Sequence, residues 1–274
     1  MNEEYKNLDY EDLEQKWREL PFSNDFIFCK VMEDPELCKK ALELLLGFEI
    51  EHIEYPQAQR QIKNAADTRG IRLDIYTKSD GRRYDLEMQS VSSADLLKRA
   101  RYYTGCIDVD TLKPGHYFEE LNDVYIIFLC LEDPFKKGLP LYTYQSKCLE
   151  VPELPNDRTV KLFYNVNEYE QLKNPALKKF LEFIKTNIPA DDFTAKLAQK
   201  TEEAKQNEEY RMGFMTLELR EIQKYREGVS AGIEQKTTEA TISLNSNGVS
   251  IPVIANSLNI SEDKVREIIA NSNK

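Results

Sequence analysis

Ile71-Arg72-Leu73-Asp74-Ile75-Tyr76 and Tyr84-Asp85-Leu86-Glu87-Met88-Gln89, joined across Asp80-Gly81, are the two runs that decide how this chain is read. Apolar and polar residues alternate in both. Ile71, Leu73 and Ile75 therefore share a core-facing side with Tyr84, Leu86 and Met88, while Asp74, Glu87 and Gln89 point the other way. Asp-Gly between alternating runs is a two-residue hairpin signal, and a turn at those two residues sets Asp74 opposite Glu87 and Arg72 opposite Gln89. Directly opposed side chains have Cβ atoms roughly 5 Å apart, where like charges destabilise the pair unless a positive charge sits between them. A hard divalent cation with oxygen ligands meets that need, so the hairpin predicts a site for Mg²⁺ or a similar ion on its non-core side.

Working outward, the spacing predicts helices around Asn24 to Met32 and Pro35 to Leu46, the second ending at Gly47 as a C-cap. After the hairpin a helix is expected from Ser93, as N-cap, through Thr104. Val124 to Cys130 is a continuous apolar run of strand length, which reads as a central strand buried on both faces. Leu141 to Tyr144 and Thr159 to Asn165 alternate and extend the sheet, with Pro152 and Pro155 interrupting the connection between them. The core is thus mixed α/β.

From Glu168 the pattern turns helical, with Leu177, Phe180, Leu181 and Ile184 at helix spacing and a long exposed segment of mixed charge from Asp191 to Arg226. Gly228 and Gly232 weaken that helix by roughly 1 kcal/mol each, and a flexible joint is expected there. Ser250 to Ile269 has a helix-turn-helix pattern, with Ser250 and Ser261 as N-caps, Pro252 in a first turn and Ala255 permitting close packing. Glu262, Asp263 and Glu267 balance Lys264, Arg266 and Lys274, so this pair is expected to pack or self-associate rather than read bases. Three regions follow: a sheet domain over 1–165, a helical extension over 166–235, and the helix-turn-helix-like segment over 236–274.

Composition narrows the function. With 274 residues, 41% of them hydrophobic, the chain can bury a substantial core. No apolar run approaches the roughly 20 residues of a membrane span, and the acidic first residues do not read as a signal peptide, so a cytoplasmic protein with no membrane association is expected. Five cysteines are scattered without Cys-x-x-Cys spacing, which points to core residues rather than a disulfide framework or zinc site. With two histidines, His52 and His116, chemistry built on an imidazole base or a histidine metal cluster has little to work with. The net charge of −11 is unusual for a protein that meets phosphates. Basic residues nonetheless collect beside the acids, at Arg69 and Arg72, at Arg82-Arg83 and at Lys98 to Arg101.

Asp74 followed by Glu87-x-Gln89 on a hairpin resembles the PD-(D/E)XK nuclease core. More narrowly, the chain resembles the recombination-promoting nuclease (Rpn) and transposase family through Asn24-Asp25-Phe26, Arg72-Leu73-Asp74, Glu87-Met88-Gln89, Lys98-Arg99-Ala100-Arg101-Tyr102-Tyr103 and Ile107-Asp108. The resemblance covers roughly residues 20 to 165 and, more loosely, the helical tail. It implies a restriction-endonuclease-like mixed sheet flanked by helices, DNA as partner, and metal-dependent endonuclease activity that promotes recombination or serves mobile elements. It further implies that Asp74 and Glu87 ligate Mg²⁺, or Mn²⁺ or Ca²⁺ in its place, and that Gln89 orients the attacking water. Two departures stand out: Leu73 occupies the place of the name-giving proline, and Gln89 replaces lysine. A neutral amide cannot depress a water pKa as an ammonium can. Arg99, turned toward the scissile phosphate, is the implied replacement cation. Asp25 is either a further catalytic acid or a charge favoured by the dipole of the helix it begins. The alternative function is a catalytically silent module on the same fold that binds nucleic acid or protein. A full transposase would need an aspartate-aspartate-glutamate triad, which the chain does not display.

Overall fold

Asn24 and Asp34 each open a helix by accepting two backbone amides. Asn24 takes those of Phe26 and Ile27 at 3.1 and 3.3 Å, and Asp34 those of Glu36 and Leu37 at 3.0 and 3.2 Å. In the computed structural model, which describes residues 10–63, 69–79 and 81–272, these caps start α2 (Asp25–Met32) and α3 (Pro35–Leu46). Gly47 ends α3 at φ +75°, the left-handed position that favours glycine. Both helices fall where the sequence placed them, after α1 (Tyr10–Glu19).

Six strands form one mixed sheet: β1 (Gln57–Ile62), β2 (Ile71–Ser79), β3 (Arg82–Gln89), β4 (Asp123–Cys130), β5 (Leu141–Gln145) and β6 (Thr159–Asn165). Their order is β1-β2-β3-β4-β6-β5. β4 runs parallel to both β3 and β6, and the remaining pairs are antiparallel. Ile126 to Cys130 are buried without a break, which is why that strand reads as one apolar run. β1 carried no strand signal: Gln57-Ala58-Gln59-Arg60-Gln61-Ile62 is an edge strand of polar residues with one buried member, Ile62.

Helices flank both faces. Phe128 stacks on Phe163 at 5.3 Å between ring centroids, and this face is covered by α4 (Leu96–Thr111) through Leu96, Ala100 and Ile107. On the other face, the Tyr164 hydroxyl donates to the Leu45 carbonyl of α3. α2 lies against β1, β2 and β3, packs on α6 (Asp192–Gln206), and is followed by α3 packed on α5 (Pro175–Thr186). The Ser93 hydroxyl is turned to the Asp95 carboxylate rather than capping a helix, so α4 starts two residues later than expected, with Asp95 at the N-cap position. It also runs on past Thr104 to Thr111, because Cys106 and Ile107 continue its buried stripe.

The hairpin register is the predicted one from Ile75–Leu86 to Ser79–Arg82. Gly81 takes φ +67° in the two-residue connection, while Asp80 lies outside the described residues. The expected continuation to Arg72 opposite Gln89 does not form; pairing ends at Ile75–Leu86.

Among the described residues, those within 16–211 make one compact unit, and 10–15 with 212–272 a second. The expected joint at Gly228 and Gly232 is absent, for α7 (Glu208–Ser246) passes through both. Two helical glycines cost about 1 kcal/mol each. Side-chain pairs one turn apart on either side, such as Gln223–Glu227 and Lys236–Glu239 at 2.8 and 2.7 Å, support the helix there. The helix-turn-helix pattern becomes α8 (Ile251–Leu258) and α9 (Glu262–Ser272), turned by Asn259 at φ +53° and packed through Ile254, Ala255 and Val265. Ser261 Oγ accepts the Lys264 amide at 3.2 Å as an N-cap does, whereas the Ser250 side chain makes no cap bond. Among the described residues no helix is long and apolar enough to cross a membrane.

Candidate metal and nucleic-acid site

The ladder between β2 and β3 stops at Asp74 because carboxylates take over its amides. Asp74 N donates to Glu87 Oε1 at 2.9 Å, and Met88 N donates to Asp74 Oδ2 at 3.1 Å. Each acid thus accepts a backbone N–H of the opposite strand, which anchors both carboxylates and spreads the strands where the hairpin was expected to stay zipped. On the α2 side, the Cys29 thiol donates to the Asp74 carbonyl at 3.5 Å.

The acid-bearing side was expected to be the open one, and it is not. Asp74 is 8% exposed, Glu87 5% and Asp85 0%. Helix α4 covers this face, so the alternation separates two buried sides rather than core from solvent. Asp85 is the residue that the sequence reading passed over, although its place two before Glu87 in an alternating strand puts both on one side. Neither Asp85 oxygen meets a partner at good hydrogen-bond geometry. Burial first, then the charges of Glu87 and Asp74, hold Asp85 well above the usual carboxylate range. Burial likewise raises Asp74, against the pull of the Met88 amide and with the Asp25 charge adding to the rise. Glu87 is raised by burial and by Asp74, with the Asp74 amide and Arg99 opposing. Three acids crowd one buried patch with too little positive charge among them.

Asp25, Asp74, Glu87, Gln89 and Arg99, the five residues singled out from the sequence, all line one cavity of about 640 Å³. Asp25 is exposed at the start of α2, where its carboxylate accepts the Phe26 amide at 2.8 Å. Arg99 Nη2 donates to Gln89 Oε1, and Gln89 Nε2 donates to the Val91 carbonyl, so both ends of the Gln89 amide are engaged by protein. The Arg99 guanidinium carbon lies 5.1 Å from the Phe128 ring centroid and 5.8 Å from that of Tyr103. Arg69, Arg72 and Lys98, all exposed, share the lining. Of the basic residues that the sequence gathers beside the acids, Arg69, Arg72, Lys98 and Arg99 line this cavity, whereas Arg82, Arg83 and Arg101 do not.

A family model described as PD-(D/E)XK nuclease family transposase matches residues 23–238. The chain belongs to that family. No curated protein and no solved structure matches it. Within the PD-(D/E)XK family, divalent metal ions are the general cofactor, and the donor set here suits one. The two anchored groups are buried carboxylates, hard oxygen donors of the kind a divalent cation takes. Among the described residues no three His, Cys, Asp or Glu side chains converge into a closed metal site. Asp74 and Glu87 as a pair suit Mg²⁺, which keeps several waters and takes substrate phosphate oxygens as ligands.

Proposed function

We propose that the chain is a metal-dependent DNA endonuclease that hydrolyses phosphodiester bonds, in which Asp74 and Glu87 hold Mg²⁺ or a similar divalent ion. The observation that carries this reading is the reciprocal anchoring of the two carboxylates by the opposite strand's amides, inside a cavity rimmed by Arg69, Arg72, Lys98 and Arg99. A cation bound there supplies a Lewis acid at the phosphoryl oxygen and a water of lowered pKa. The protein's own residues do the rest. The backbone bonds fix the two acids before substrate arrives, so little reorganisation is needed. The rim cations bind phosphates on either side of the scissile bond, and the Arg99 guanidinium balances charge that develops on the reacting phosphate. Asp25 adds a further carboxylate to the cavity lining. The family's description as a transposase supports breaks that feed recombination or the movement of DNA elements.

The decisive experiment is plasmid cleavage by purified protein in Mg²⁺, Mn²⁺, Ca²⁺ or chelator, beside Asp74→Ala and Glu87→Ala, with DNA binding followed separately. Cleavage that needs metal and falls at least about 100-fold in both variants, with binding retained, is expected. Equal activity in all three proteins would mark a contaminant and remove the assignment. Binding without cleavage in any metal would leave the non-catalytic module on the same fold.

A further inference from the structure

The Gln89 amide bridges two partners: its Nε2 donates to the Val91 carbonyl and its Oε1 accepts from Arg99. Among the described residues, that bond to Gln89 is the one side-chain hydrogen bond Arg99 makes. The guanidinium is otherwise held by the flat faces of Phe128 and Tyr103. Its Nε is buried without a partner. Arginine carries five donors and no acceptor, so only an acceptor at position 89 can tie it down. Lysine in that place would offer donors alone, set a second positive charge against the guanidinium, and free Arg99 from β3.

We infer that Gln89 is a positioning residue: it fixes the Arg99 guanidinium beside Asp74 and Glu87, so that the site's cation comes from α4 and a cation on the strand is excluded. This rests on the nuclease reading for its catalytic meaning, but the pairing itself does not. One cation and one amide must face each other across β3 and α4, and which strand or helix carries which is interchangeable. The sequence's departure at Gln89 and its arginine at position 99 are then two halves of one arrangement.

The test uses four full-length proteins: wild type, Gln89→Lys, Arg99→Gln and the double variant that exchanges the two groups. Each is measured for plasmid cleavage in Mg²⁺ and for thermal unfolding in chelator. Gln89→Lys is expected to lower cleavage about 100-fold despite restoring the lysine of the general pattern. The exchanged protein should recover at least about tenfold over either single variant, with a Tm loss clearly smaller than the sum of the two single losses. Gln89→Lys cleaving as well as or better than wild type would overturn the inference, as would additive Tm losses. A wild type that cleaves nothing would instead defeat the nuclease reading, and the unfolding measurements would still decide whether Gln89 and Arg99 act as a pair.

Discussion

Asp74, Asp85 and Glu87 retain protons at pH values where the same side chains in an unfolded chain have lost them. Burial raises all three, Asp74 to about 6 and Glu87 to about 8, with Asp85 also well above its ordinary value. For acids raised in the folded state, the stabilising contribution is complete below the unfolded carboxylate pKa of about 4 and is lost as pH climbs through the folded values. The metal-free protein should therefore lose on the order of 5 kcal/mol of stability between about pH 5 and 8.5, read from urea unfolding in chelator. Mg²⁺ should return more of that stability at the alkaline end, where the acids are ionised and able to ligate. Asp85→Asn keeps the shape and removes one acid, so its stability should fall less steeply with pH; a slope equal to wild type would show that Asp85 does not take part. The two ligand candidates were legible in the sequence because alternation and the turn put them opposite each other. Asp85 was not, since its importance lies in being covered by α4, and no local pattern announces that.

At the scale of elements, caps and glycines give direct tests. Asn24 accepts two amides at the head of α2, the helix that carries Asp25 to the cavity, and Asn24→Ala should cost about 1 kcal/mol, visible as a lower urea midpoint. Gly228 and Gly232 lie inside α7, and a Cβ added at either meets nothing within 4 Å. Replacing each with alanine should add about 0.5–1 kcal/mol to the stability of this helix, read as slower amide exchange across it. No gain would mean that the helix is not the resting conformation at those positions. Helices α2 and α3 were visible in advance because their caps, Asn24, Asp34 and Gly47, are local chemistry. Strand β1 was invisible because an edge strand needs a backbone partner rather than apolar side chains, and β2 supplies it.

For the molecule as a whole, the charge balance predicts how DNA binding responds to salt. The chain is strongly acidic, and its useful cations are gathered at Arg69, Arg72, Lys98 and Arg99 on one cavity. Each phosphate contact contributes about −0.9 to the slope of log affinity against log salt, so four contacts give about −3 to −4. Fluorescence anisotropy with a short duplex in Ca²⁺ should find that slope, and Arg72→Ala or Lys98→Ala should each flatten it by about 0.9. A slope near zero would mean that these residues do not touch phosphate.

By itself the sequence determined the mixed α/β class, the hairpin register, the central β4, the packed C-terminal helix pair and the five residues gathered on the cavity. Those rest on short-range rules: period-two alternation, caps, turn residues, and an apolar run that only a strand buried on both faces requires. Tertiary structure alone decided that the acid-bearing face is enclosed, that strand amides hold Asp74 and Glu87, and that Gln89 is taken up by Arg99. Each of those depends on α4 lying across a sheet whose strands come from distant parts of the chain. The electrostatics that give the acids their raised pKa values arise only once that cover excludes water.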